Sequence, residues 1–374
     1  MPCLRRFASR GERLKMVKSS DNCQVRVNYP DIDIMKLLMA FLVVEIHARP
    51  LMNFALAQKI LDGIDVIAVP FFFLASGFLC FQGLGAGDFR DVSSAAFIRV
   101  RKTIFKLIRL YVTWTLLFLP LTIFGNMLKG NSPLLAILYF VRGTLFIGEN
   151  YYSWPLWYLL ASAVGFALVY YLLRGGVELT RIVFLSFCLL LIGYCISFVQ
   201  GWEEAPVYLS LPCKAYSFLF GSSRNGLFEG FFYIAVGASF GLRLDFLDKM
   251  PLLFDLALAV LGLAGNYLVS NDPHLPFCVA ASIGLIFLSI RRHGSCLNSY
   301  AVARHISTVV YLVHMYFIVV FVYGFGGGVD PNLYANDVNR LLLYLFAICG
   351  SFSVSALVFF ASKKMPAVKT IFGI

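Results

Sequence analysis

Long apolar runs broken by short polar segments set the pattern of this chain. Stretches of about 17–25 residues, the length that crosses the hydrocarbon core of a bilayer as a helix, recur near 33–49, 62–83, 103–124, 155–173, 182–200, 227–243, 251–270, 274–290, 305–325 and 340–361. They predict an all-α polytopic membrane protein with about ten transmembrane helices. One further stretch, 133–148, is short and interrupted by Arg142 and Gly143, which predicts an interfacial or re-entrant helix. The implied organisation is a basic N-terminal tail over 1–30, a transmembrane domain over 31–362 and a short tail over 363–374.

Composition agrees with this pattern, and charge gives it direction. Of 374 residues, 60% are hydrophobic and 14% charged, values outside the range of soluble globules. A net charge of +11 would suit nucleic acid, but the Lys and Arg residues sit in short segments between apolar runs. They report topology, so contact with membrane lipids is expected and contact with nucleic acid is not. With the N-terminus inside, 24 of the 31 Lys and Arg fall on the cytoplasmic side and seven outside, which places both termini in the cytoplasm. Residues 1–30 hold seven of them but no apolar core or small-residue cleavage site, so they read as a retained tail and not a signal peptide. The nine cysteines show no CxxC or metal-ligand spacing, and no metal is expected.

Against this background a few polar residues stand out. Lys36 and His47 are eleven positions apart in the first span, close to three helical turns, so they share one stripe and lie roughly 16 Å apart along the axis. Facing hydrocarbon would cost each on the order of 2.5–3.5 kcal/mol, so both are expected to face protein or water. His47 lies toward the outer end, and neutral imidazole is suited to accepting a hydroxyl proton. Glu45 sits about 200° round the same helix, with its role open.

Four basic residues, Arg99, Lys102, Lys106 and Arg109, fall on an arc of roughly 80° at the start of the third span, with Arg101 pointing away. The stripe suits either a multiply phosphorylated ligand or lipid headgroups. In the second span, Ser76 and Gly77 follow Pro70 and the aromatic run Phe71–Phe73, and permit close approach by a helix or a ligand. Two more histidines, His274 and His314, sit close to the membrane. External aromatics, among them Tyr151, Tyr152, Trp154, Trp157, Tyr158 and Trp202, fit sugar stacking or an interfacial belt, and Glu149, Glu203, Glu204 and Glu229 add polar handles on that side.

Taken in order, these pieces resemble the acyltransferase 3 family of integral membrane acyltransferases. Asp33, Lys36 and His47 match its first-span pattern, with lysine in the place of the usual arginine. Pro70, Phe72, Phe73, Ser76, Gly77 and Phe78 match its second-span element, and Lys106, Arg109, Leu110 and Tyr111 a basic one, again with a lysine substituted. Leu156–Leu159 resembles a Leu-Trp-Phe-Leu segment, and Tyr311 with His314 a Tyr-x-x-His.

The resemblance implies an enzyme of the cytoplasmic (inner) membrane that moves an acyl group, most simply acetyl from acetyl-CoA, to a hydroxyl of a cell-surface or lipid-linked carbohydrate. It assigns catalysis to His47, donor binding to Lys36, Ser76, Gly77, Lys102, Lys106 and Arg109, and acceptor contacts to Trp154, Trp157, Tyr158 and His314. His47 would act as base or as a transient acyl carrier. The competing class is a transporter or flippase for a saccharide or lipid precursor; a non-catalytic assembly subunit is a third.

Overall fold

The computed structural model of the chain describes residues 28–84, 89, 91, 94–244, 250–269, 272–291, 298–326, 333 and 338–374. The basic tail expected over 1–30 lies almost wholly outside them. The described residues are helical, without strands: α1 Pro30–Ala48, α2 Ala55–Asp65, α3 Ala68–Phe81, α4 Ala95–Leu128, α5 Pro133–Arg142, α6 Trp157–Arg174, α7 Leu179–Gly201, α8 Val207–Phe220, α9 Phe231–Leu242, α10 Leu252–Leu268, α11 Pro276–Ile290, α12 Asn298–Phe325, α13 Arg340–Lys364 and α14 Pro366–Phe372. π-Helical turns, Gly143–Ile147 and Gly226–Gly230, follow α5 and precede α9.

Local sequence explains where many of these helices begin. Proline opens α1, α5, α11 and α14, at the position where its missing N–H costs no helical hydrogen bond. Asn225 Oδ1 accepts from Leu227 N at 2.9 Å and Phe228 N at 3.2 Å, and Asn339 Oδ1 from Leu342 N at 3.1 Å. Such caps satisfy backbone donors that a helix start leaves orphaned.

Among the described residues six helical segments are long and apolar enough to cross a membrane: Ala55–Phe81, Ala95–Leu128, Trp154–Arg174, Leu179–Gly201, Tyr300–Phe325 and Arg340–Lys364. They coincide with six of the ten expected spans. Three others fall on shorter apolar helices, Gly226–Leu242, Leu252–Leu268 and Pro276–Ile290, and the first is α1, which carries Asp33, Lys36 and Glu45. The stretch expected to be re-entrant is the short helix Pro133–Ile147.

The interior is built around α3 and α9. Phe71, Phe73, Leu74, Ala75 and Phe78 of α3 are fully buried, as are Ile234, Ala235 and Ala238 of α9. By contrast α4, α7 and α13 turn Leu116, Phe184 and Leu357 outward, the inverted pattern that lipid contact permits. Gly77 has the backbone of Ile234 and Ala238 against it, and Gly237 has that of Leu74 and Phe78. The two helices therefore meet backbone to backbone, a contact only glycine allows.

Replacing Gly237 by Leu should cost several kcal/mol, beyond the ~1–3 kcal/mol usual for overpacking because backbone has to move, and abolish recovery of monodisperse protein. Gly324→Ala, at a helical position with nothing within 4 Å, is the control and should leave thermal unfolding in detergent nearly unchanged.

Candidate functional site

Helices α1 and α12 are tied at one end by an ion pair. Asp33, 2% exposed, accepts from Arg304 through both oxygens, Oδ1 from Nε at 2.9 Å and Oδ2 from Nη2 at 2.6 Å, and Nη2 also reaches Asn28 Oδ1 at 3.2 Å. This two-pronged geometry fixes orientation as well as distance. Further along the same two helices the His47 and His314 rings stack at 5.5 Å between centroids and 23° between planes.

The protonation of His314 follows from its surroundings. Its Nδ1 lies 3.0 Å from the carbonyl oxygen of Val310; a carbonyl only accepts, so Nδ1 carries the proton. Nε2 is then an acceptor, and it is buried without a hydrogen-bond partner. His47 is half-buried, with Trp154 5.7 Å away on centroids. From His314 the aromatic contacts continue through Tyr311 to Tyr158 and Phe72, and Phe73 reaches Trp157 at 6.0 Å. With Phe73 also against Tyr158 at 4.8 Å, His47, Trp154, Trp157, Tyr158 and His314 belong to one connected cluster drawn from α1, α3, α6, α12 and the turn before α6.

The loop that delivers Trp154 is pinned from several sides. Thr122 Oγ1 of α4 donates to Tyr151 O at 3.2 Å, Asn150 N donates to Ser153 Oγ at 2.8 Å, and Tyr311 Oη donates to Pro155 O. Tyr152 has φ of 61°, in the left-handed region that a bulky side chain rarely adopts. It is held there with full burial and a 2.6 Å hydroxyl contact to Tyr323 of α12.

Beside this loop lies an ionic group on the π-helical turn before α9. Glu229 is completely buried and neither carboxylate oxygen has a hydrogen-bond partner. Arg224 Nε lies 3.6 Å from Oε2, and its guanidinium covers the Trp157 ring at 5.5 Å. Arg224 is close enough to interact electrostatically with both His47 and Glu149. Burial pushes the Glu149 carboxyl up to about 7, with Arg224 pulling the other way.

A separate basic cavity of about 660 Å³ opens on α4, lined by Arg101, Lys102, Lys106 and Arg109 with Ile98 and Phe105. Lys102, Lys106 and Arg109 come together as expected, but two neighbours exchange roles. Arg99 turns back to cap α3, donating to Gln82 O at 2.9 Å, while Arg101 joins the cavity. Helical spacing alone missed this because the side chains are long enough to depart from the arc of their Cα atoms. Arg109 and Thr122 are thirteen residues apart on α4, so the cavity and the Trp154 loop are separated by roughly 20 Å along that helix.

Lys36 lies half-buried on the same helix as His47. Ser76 Oγ contacts Tyr158 Oη at 3.1 Å. Gly77, expected to line a donor passage, is instead taken up by the α9 backbone; the close approach that its size permits is made by a helix. Glu45 points to a different neighbourhood, where Gln58 Nε2 donates to Glu45 Oε1 at 3.1 Å and to Asp62 Oδ1 at 3.0 Å, with Asp65 near Glu45. Among the described residues no group of three or more His, Cys, Asp or Glu is arranged to hold a metal ion.

Two ionic partners escaped the sequence reading. Arg304 was one more cytoplasmic cation and Arg224 one more external one; each gains meaning only from a carboxylate 271 positions away or on a neighbouring turn. Arg304→Gln should destabilise the protein by about 3 kcal/mol, because a buried carboxylate loses its counter-ion, and adding Asp33→Asn should restore most of that. For Glu149, whose folded pKa is raised, the stabilising contribution is complete below about pH 4.5 and is lost as pH rises through about 7. Thermal melts of Glu149→Gln between those limits should be flatter with pH than those of the unmodified chain.

The acyltransferase 3 family, described as an acyltransferase domain, matches residues 29–360. Among curated relatives, an amino-acid racemase of Enterococcus faecalis is 30% identical over 212 residues, 55% of this chain and 28% of its own. A serine/alanine racemase of Enterococcus gallinarum is 27% identical over 300 residues, 76% of this chain and 40% of its own. The chain therefore spans well under half the length of these relatives, and no solved structure matches it. Because the family match runs from the residue before α1 almost to the end of α13, every element of the histidine cluster lies inside it, and the chain belongs to the acyltransferase 3 family.

Proposed function

We propose that this membrane protein is an O-acyltransferase that moves an acetyl group from cytosolic acetyl-CoA to a hydroxyl of a cell-surface or lipid-linked carbohydrate. It would lie in the cytoplasmic membrane with about ten crossings and both termini inside. The observation that carries the reading is the paired imidazoles of His47 and His314, set in an aromatic wall with one ring nitrogen of His314 unpartnered. The basic cavity supports a phosphate-rich donor, since Lys102, Lys106 and Arg109, joined by Arg101, converge on it. The racemase names of the relatives describe proteins of which this chain matches 28–40%, and the acyl-transfer reading rests on the family instead.

In this mechanism His47 accepts the proton of the acceptor hydroxyl as the oxygen attacks the thioester carbon. The carbon–sulfur bond breaks, and the proton balance closes when the coenzyme A thiolate is protonated. Formation of an acyl-imidazole on His47 first, followed by its alcoholysis, uses the same nitrogen. His314 packs against the ring that works, and the Val310 carbonyl fixes its tautomer.

A carrier function is the second reading, and the observation favouring it is the buried Glu45, Gln58 and Asp65 group, since carboxylates inside a helix bundle often mark transport paths. Thioester consumption separates the two. Purified protein should turn over acetyl-CoA to free coenzyme A with acceptor present, in excess of the one equivalent that acylation of His47 alone can release, whereas acceptor movement across liposomes without thioester loss would establish the carrier. His47→Ala should lower transfer by at least about 10³-fold while the protein stays folded. Lys106→Gln and Arg109→Gln should each weaken acetyl-CoA binding about tenfold, measured by equilibrium binding in detergent; unchanged affinity would return the cavity to lipid headgroups.

A further inference from the structure

Arg224 is not consumed by the contacts that hold it. Its Nε faces Glu229 and its guanidinium carbon lies over the Trp157 ring at 5.5 Å, but its terminal nitrogens have no hydrogen-bond acceptor among the described residues, and the side chain is 42% exposed. A mobile surface arginine would not be built this way. Glu229 is 0% exposed on a π-helical turn, a feature frequent at functional sites. Neither of its oxygens has a hydrogen-bond partner, and the contact with Arg224 Nε at 3.6 Å turns that edge of the guanidinium toward the interior. What remains is the outer edge of a guanidinium beside a tryptophan, within electrostatic reach of His47, Glu149 and Asp272.

Such an edge matches the two oxygens of a carboxylate or phosphate. We propose that the acceptor carries an anionic group, carboxylate or phosphate, near the hydroxyl to be acylated, and that Arg224 is the residue that positions it. The donor is a poor candidate for this cation: its phosphates have four basic side chains in the α4 cavity, roughly 20 Å along α4 from the loop that carries Glu149. The word acceptor rests on the acyl-transfer reading; the anion site itself does not. Proximity to Trp157 also gives the guanidinium a reporter, because a ligand seated there must perturb indole fluorescence.

The test uses the full chain in neutral detergent, following tryptophan fluorescence and thermal unfolding with glucuronate, glucose 6-phosphate, glucose and glucosamine, and acetyl-CoA binding separately. Glucuronate and glucose 6-phosphate should bind saturably, and glucose and glucosamine at least about tenfold more weakly. Arg224→Gln should remove the preference for anions, Arg224→Lys should keep part of it, and Glu229→Gln should weaken it, all with acetyl-CoA affinity unchanged. Equal binding of charged and neutral sugars, no binding of either, or an Arg224→Gln variant that still prefers anions would overturn the proposal. Nanodiscs containing phosphatidylglycerol or phosphatidylcholine add an arm: displacement of glucuronate by the anionic lipid alone would assign the site to a headgroup and also overturn it. Arg224-dependent anion binding without acyl transfer to any acceptor would instead sink the enzymatic reading and leave the anion site standing.

Discussion

The ion pair between Asp33 and Arg304 sets the geometry on which the rest of the site depends. A carboxylate held through both oxygens leaves α1 little freedom to slide or rotate against α12. With that register set, the ring of His47 meets that of His314, and Tyr311 on the same helix reaches both the histidine and the loop at Pro155. One charge pair thus governs an aromatic contact several turns away. Only the carboxylate is buried while the guanidinium is 56% exposed, and the two-pronged contact is directional where hydrocarbon contacts are not.

The parts most legible in the sequence were those written in local pattern. Apolar length gave the helical segments, and the basic spacing on α4 gave three of the four cations around its cavity. Of the ten expected spans, six fall on long apolar helices among the described residues, three on apolar helices of 15–17 residues and one on α1, which carries charges. Gly77 illustrates a limit: a small residue announces a close approach but not what approaches, and here it is the backbone of α9. Arg304 and Arg224 were illegible for another reason. Pairing between distant segments depends on register, and nothing in a charged residue's own neighbourhood encodes its partner.

Helix α4 organises the two chemically different ends. Its first half carries cations around a cavity, and its second half holds the loop of Tyr151 and Trp154 through Thr122 and Gly125. In the first half the charges are numerous and long-stemmed, suited to diffuse phosphate. Near the loop they are few and fixed by packing, as at Glu229 and Arg224. The family to which the chain belongs is described as an acyltransferase domain, and this difference in how charge is held separates the two ends of α4.

The π-helical turn that holds Glu229 has a consequence for how sequences in this family can drift. A π turn is an α-helix with one residue too many, and Gly226–Gly230 runs directly into α9. Deleting a single residue there would rotate Glu229 by about 100° relative to the helix that follows, away from Arg224, while Gly237 kept its seat on α3. Length variation at this turn is therefore a simple route by which evolution could silence one recognition element and leave the helical scaffold intact.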